Sequence, residues 1–174
     1  MSLSLYDLTV PILVRHLETL KHLLQKGEQW AKENGKSENE LLEARIIEDM
    51  NPLTFQVQTC SNTAKGILFR VGGEENTPME DDEKSFADLY SRIDATVKIL
   101  RAAKKEKFSA PDTKCKVKMG PHEVEFTGLG YIQRFVIPNF FFHHATTYDI
   151  LRSKGVPVGK LDYIGGKDLA TWEL

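Results

Sequence analysis

Residues 3–24 read LSLYDLTVPILVRHLETLKHLL, and the spacing within this stretch decides the fold class. Leu3, Tyr6, Val10, Leu13, Leu17, Leu20 and Leu24 recur at intervals of three and four, which places them on one face of a helix. Ser4, with Asp7 three residues on, supplies an N-cap and its acidic partner. Pro11 either kinks this helix or marks its true beginning after a short turn. Asn34-Gly35 closes it with a C-cap signal.

The same signals recur downstream. Ser37 and Glu40 open a short helix carrying Leu41, Leu42, Ala44, Ile46 and Ile47, and Asn51-Pro52 breaks it. A longer helix runs from about Pro52 to Val71, with Leu53, Val57, Cys60, Ala64, Ile67 and Val71 inward and Gly72-Gly73 as its stop. Residues 74–82 are acidic, carry Pro78 and read as a loop. Phe86, Leu89, Ile93, Val97 and Leu100 then mark a helix from about Glu83 to Ala103. The period changes next. Alternation over Lys114–Met119 and His122–Phe126, on either side of Gly120-Pro121, predicts a β-hairpin. A lone hairpin is marginal in water, so it must pack on the helices.

Gly128-Leu-Gly130 is a hairpin-to-helix turn, and the last long helix starts at Thr127 or Gly128. Its inward residues are expected to be Tyr131, Ile132, Phe135, Val136, Asn139, Phe142, His143, Thr146 and Ile150, with a kink at Pro138. Arg152 to Gly155 ends it with basic residues and a glycine. The tail from Val156 to Leu174 reads as loop, tacked down by Trp172. Four long helices and a hairpin predict one all-α domain over residues 1–174. It is an antiparallel four-helix bundle with a small β-hairpin between helices 3 and 4.

Composition narrows the function. The chain has 174 residues, 41% hydrophobic and 28% charged, with a formal net charge of -2. That balance lacks the basic footprint of a nucleic-acid binder. The acidic stretch Glu74–Glu83 and the basic run Lys104, Lys105, Lys107 read as solvated segments. No run reaches the roughly 18 apolar residues of a membrane span. The N-terminal stretch has no basic start and is interrupted by Asp7 and Arg15, so a signal peptide is not expected. Cys60 and Cys115 lie on different elements and form no CxxC. Both are expected to be reduced, which suits a cytoplasmic protein.

Nucleotide-loop, nucleophile-elbow and zincin motifs are absent. The candidates are therefore polar residues on inward helix faces. Asn139, His143 and Thr147 follow one another at i, i+4 and put an amide, an imidazole and a hydroxyl on one line. A neutral imidazole can take and return a proton near pH 7, which makes His143 the acid/base candidate. The bland alternative is a core histidine satisfied by a neighbour. His16 lies near the inward side of the first helix, and Gln56 and Thr63 lie close to the inner stripe of the second. With Asn139 and Tyr148 they form the expected ligand-binding set. A zinc site needs about three protein ligands. His143 with His16 or Cys60 falls short of that, so no metal or other cofactor is expected.

Asp49-Met-Asn-Pro-Leu53, Gln56-Val-Gln58, Ala64-Lys-Gly66, Phe126-Thr-Gly128 and Pro138-Asn-Phe-Phe-Phe-His143 resemble the DUF1993 family of the DinB/YfiT-like superfamily. Ile150-Leu-Arg152 and Gly155-Val-Pro-Val-Gly-Lys-Leu-Asp162 resemble it too. The resemblance covers nearly the whole chain and implies a four-helix bundle with a hairpin between the third and fourth helices. Superfamily relatives hold a divalent metal through three histidines in the bundle centre, and some are thiol-dependent transferases or isomerases. The family itself has no settled activity. His143 matches the family's fourth-helix histidine, whereas Asn62-Thr63 stands where the family often carries Asp-His. Neither Asn139 nor Thr147 supplies the histidine of a His-x-x-x-His pair.

Three functional expectations follow. The first is a small-molecule-binding protein or metal-independent enzyme with its pocket inside the bundle, performing an isomerase, dehydratase or cyclase step. The second is a divalent-metal enzyme of the DinB type. The third is a non-catalytic homodimeric scaffold joined through exposed aromatic faces. Neither nucleic acid nor membrane is an expected partner.

Overall fold

The computed structural model describes residues 3–166. They are mostly helical, with one small antiparallel sheet. Helix α1 spans Val10–Glu33, so Pro11 marks a beginning rather than a kink. Its missing N–H falls in the first turn, where no intrahelical partner is needed. Ser4 and Asp7 do cap each other, the Ser4 N–H donating to Asp7 Oδ2 at 2.9 Å, but on a separate turn that precedes α1. Leu13, Leu17, Leu20 and Leu24 are completely buried, whereas Leu3 at the head of the stripe is 69% exposed. Gly35, at φ 65°, takes the left-handed conformation that ends the helix.

Helix α2 (Glu38–Leu42) is opened by Glu40, whose carboxylate accepts the Ser37 N–H at 3.1 Å. Helix α3 spans Leu53–Arg70, and every residue expected on its inner face is buried. Helix α4 spans Phe86–Ala102, capped by Ser85, whose hydroxyl accepts the Asp88 N–H at 3.1 Å. Strands β1 (Lys114–Met119) and β2 (His122–Thr127) pair antiparallel, with Val117 opposite Val124. Helix α5 (Gly128–Tyr131) leads through a π-helical turn at Ile132–Val136 into α6, Ile137–Ser153.

Two segments read as loop need correction. The acidic segment before α4 is not simply solvated. Arg92, 5% exposed, reaches it from α4 and donates to Glu83 Oε1 at 2.6 Å, to the Glu80 carbonyl at 2.9 Å and, from its other terminal nitrogen, to Asn62 Oδ1 at 2.8 Å. Asp81 is paired with the same guanidinium at 2.7 Å. The tail beyond Val156 is not wholly loop either. Val156 and Val158 are buried, and Lys160–Ile164 form a short helix, α7. The expected role of Trp172 lies outside the described residues.

The long helices share one core. Helix α3 packs against α4 and α6, α1 packs against α4, α6 and α3, and α7 lies on α1. Phe86, Phe140, Tyr131 and the α1 leucines are its largest buried side chains. Among the described residues no helix is long and apolar enough to cross a membrane.

Candidate functional site

The residues expected to form one site divide between two places. Gln56, Thr63, Asn139 and His143 meet along the seam of α3 and α6. His143 Nδ1 lies 2.7 Å from Gln56 Oε1, and Asn139 Nδ2 donates to Thr63 Oγ1 at 2.8 Å. The pairing order is reversed between the helices, so α3 and α6 run in opposite directions. Gln56 is itself fixed, because its Nε2 donates to the Asn51 carbonyl at 2.9 Å. That bond turns Oε1 toward the imidazole, so Nδ1 carries the proton and Nε2 keeps a bare lone pair. Among the described residues Nε2 has no protein partner. Burial lowers the pKa of His143, so the neutral form dominates at pH 7. Phe55 and Phe142 flank the ring at centroid distances of 6.0 and 5.1 Å, and both are exposed.

His16 and Tyr148 lie elsewhere, because α6 is rotated relative to the expected face. A π turn carries one residue more than an α turn over the same span, which shifts every later position by about 100°. The buried line therefore steps by five from Tyr131 to Val136, then continues through Phe140, His144, Thr147 and Leu151. Phe142, expected inward, is 60% exposed, and His144 rather than His143 is completely buried.

His144 is the centre of a second cluster. Its ring lies 4.5 Å from Tyr163 of α7 and 5.4 Å from His16 of α1, and Tyr163 contacts Tyr148 at 5.9 Å. Thr19 fixes the tautomer. Its hydroxyl donates to the His16 carbonyl at 3.0 Å, so at 3.1 Å from His144 Nε2 it acts as acceptor. His144 thus carries its proton on Nε2, and its Nδ1 is a buried acceptor without a partner, as is Nδ1 of His16 in having none. Desolvation pushes the pKa of His144 down to about 3 and that of His16 down to about 4, Arg15 adding to the latter. Sequence reasoning missed His144, Thr19 and Tyr163. Pro138 was the available signal, since a proline inside a helix forces a local change in its hydrogen bonding.

The superfamily's three-histidine metal site does not fit these residues. Nδ1 of His143 is committed to Gln56. Asn62 is held between Arg92 and Asp81, and Thr63 is bonded to Asn139. Cys60 donates to the Phe140 carbonyl at 3.6 Å, and burial pushes its thiol pKa up, away from the thiolate a metal requires. Among the described residues no three His, Cys, Asp or Glu side chains converge as a metal site would demand.

Comparison with known proteins adds three findings. The family model for DUF1993, a domain of unknown function, matches residues 5–164. A crystal structure of a DinB family member protein from Shewanella denitrificans is similar over 98% of this chain and 95% of that one. The TM-score is 0.85 and the sequence identity 30%. Among curated proteins none matches the chain.

Proposed function

The chain belongs to the DUF1993 family, and from that premise we propose that it is a single-domain, antiparallel four-helix bundle that binds a small molecule at the α3–α6 seam. His143 exchanges a proton with that molecule and needs no metal to do so. The observation that carries this reading is the fixed tautomer of His143. Gln56 holds Nδ1–H, which leaves Nε2 as a neutral acceptor. Burial keeps the ring unprotonated at pH 7, the state required of a base. Phe55 and Phe142, exposed and in edge contact with the ring, supply apolar surface beside it, suited to a planar carbonyl or aromatic compound.

In the step so implied, Nε2 takes a proton from one atom of the ligand and returns it to another. Gln56 holds the imidazolium between the two transfers through the Nδ1–H bond. The net result is an isomerisation, with no proton gained or lost. Thr63 and Asn139, one α6 turn away, are already bonded to each other and hold the seam at a fixed width.

A thermal-shift screen of small carbonyl and phenolic compounds tests the proposal. Compounds that raise the melting temperature of the wild type should fail to do so in His143→Ala. Equal shifts in the two proteins would remove His143 from the site.

A further inference from the structure

The ring cluster around His144 is separate from the seam, and α7 forms its roof. Helix α7 has five residues, none of them buried. It is held by two features. The first is Tyr163, whose ring covers His144 at 4.5 Å and also contacts His16 and Tyr148. The second is Asp162, which accepts from Lys26 Nζ at 3.0 Å, lies 3.0 Å from His22 Nε2, and caps the helix by accepting the Gly159 N–H at 2.8 Å. Beside the roof, Thr19, His22, Gly165 and Gly166 line a cleft of about 500 Å³. Thr19 is shared, since its hydroxyl also accepts from His144.

We infer that α7 is an acid-released lid over the His16–His144 pair, whose opening exposes that pair to the cleft along α1. The geometry supplies the coupling. Closed, the lid covers His144, which is completely buried, and His16, which is partly buried; Nδ1 of each is buried without a partner, so a proton added to either ring finds no acceptor there. Open, the rings meet water and bind protons like ordinary histidines. Opening therefore takes up protons, and acid favours it by about tenfold per pH unit for each imidazole that becomes solvated, below about pH 6.5. The effect levels off as pH approaches the closed-state values near 4 and 3.

The other charged groups nearby do not reverse this sign. From α1, Arg15 opposes protonation of His16. Burial, and then the Cys60 thiol of α3 and Asp149 of α6, raise the pKa of Tyr163 and hold its phenol neutral. In the latch, burial would raise the pKa of Asp162, but the Gly159 N–H, Lys26 and His22 together outweigh it and lower the pKa below the ordinary carboxylate value, so Asp162 is ionised throughout pH 7 to 5. The latch thus does not loosen in acid, and release must come from the imidazole pair.

Hydrogen exchange of the full chain between pH 7 and pH 5 tests this. The Tyr163 and Gly165 amides, which donate within α7 at 3.2 and 2.9 Å, report on the lid. Corrected for intrinsic exchange, their protection should fall at least about tenfold over this range, while α3 amides keep theirs. His16→Leu/His144→Leu should abolish the pH dependence. Should that variant fail to fold, Asp162→Asn provides the second arm. Its α7 protection should be lower at pH 7 and should keep the same pH slope. Flat α7 protection in the wild type, a fall shared equally by α3, or an unchanged slope in the double variant would each overturn the lid. A flattened slope in Asp162→Asn would place the pH response in the latch and would also overturn it.

Discussion

At the scale of single residues, the bond between Gln56 and His143 sets both a tautomer and a charge state. Gln56→Leu removes the acceptor of Nδ1–H and the donor to the Asn51 carbonyl. It should cost about 1–3 kcal/mol in urea unfolding, the usual penalty for stranding a half-buried polar group. Gln56→Glu instead places a carboxylate beside the ring and should raise the His143 pKa above its wild-type value, as read by ring-proton NMR titration. The stability effects have opposite signs. Wild-type His143 titrates below its unfolded value, so the unfolded chain holds the proton more tightly. Its contribution to stability is therefore lost as pH falls through about 6.5. If Gln56→Glu lifts the folded value above the unfolded one, stability is gained there instead. A His143 titration unmoved by Gln56→Glu would show that the ring does not face position 56. Gln56, Thr63, Asn139 and His143 were legible as polar positions beside apolar stripes. His144 was not, because its burial depends on a helical register that spacing from a single origin cannot follow across a π turn.

At the scale of elements, the segment between α3 and α4 shows how a charge pattern misleads. A run of Glu and Asp normally faces water, and nothing near it in sequence marks Glu83 for burial. The deciding residue is Arg92, inside the α4 stripe and aimed at the segment from below. With side-chain exposures of 2% and 8%, Arg92 and Glu83 form a nearly dry pair, which Gln58 completes by donating to Glu83 Oε2 at 2.8 Å. Removing one member of such a pair strands the other charge, a loss of about 3–5 kcal/mol. Arg92→Met should therefore destabilise the protein by that amount in urea unfolding. Arg92→Met/Glu83→Gln should recover a good part of it, since the remaining amide can still accept from Gln58. A loss below about 1 kcal/mol in the single variant would mean that the segment is held by its other contacts, among them Lys65 to the Thr77 carbonyl at 2.9 Å. The helices α1, α3 and α4 were readable because each presents one uninterrupted stripe. Helix α7 was not, because five residues carry too little pattern to register.

At the scale of the whole molecule, the two cysteines report on different kinds of opening. Cys60 sits on the inner face of α3 against the Phe140 carbonyl of α6, completely buried. Reaching it requires the packed helices to separate. Cys115 lies on β1 opposite Phe126 and is only partly buried, so a local rearrangement of the hairpin suffices. Burial raises both thiol pKa values, so intrinsic reactivity is reduced at each, but access separates them by far more. Domains of this size are stable by about 5–15 kcal/mol, and a site exposed only by global unfolding reacts at least about a thousandfold more slowly than an accessible one. Labelling with a thiol reagent under native conditions, read by peptide mass spectrometry, should modify Cys115 promptly and Cys60 at the rate of global unfolding. In denaturant the two should react alike. Comparable native rates would mean that the α3–α6 interface opens locally, and the fixed seam that orients His143 could not then be maintained.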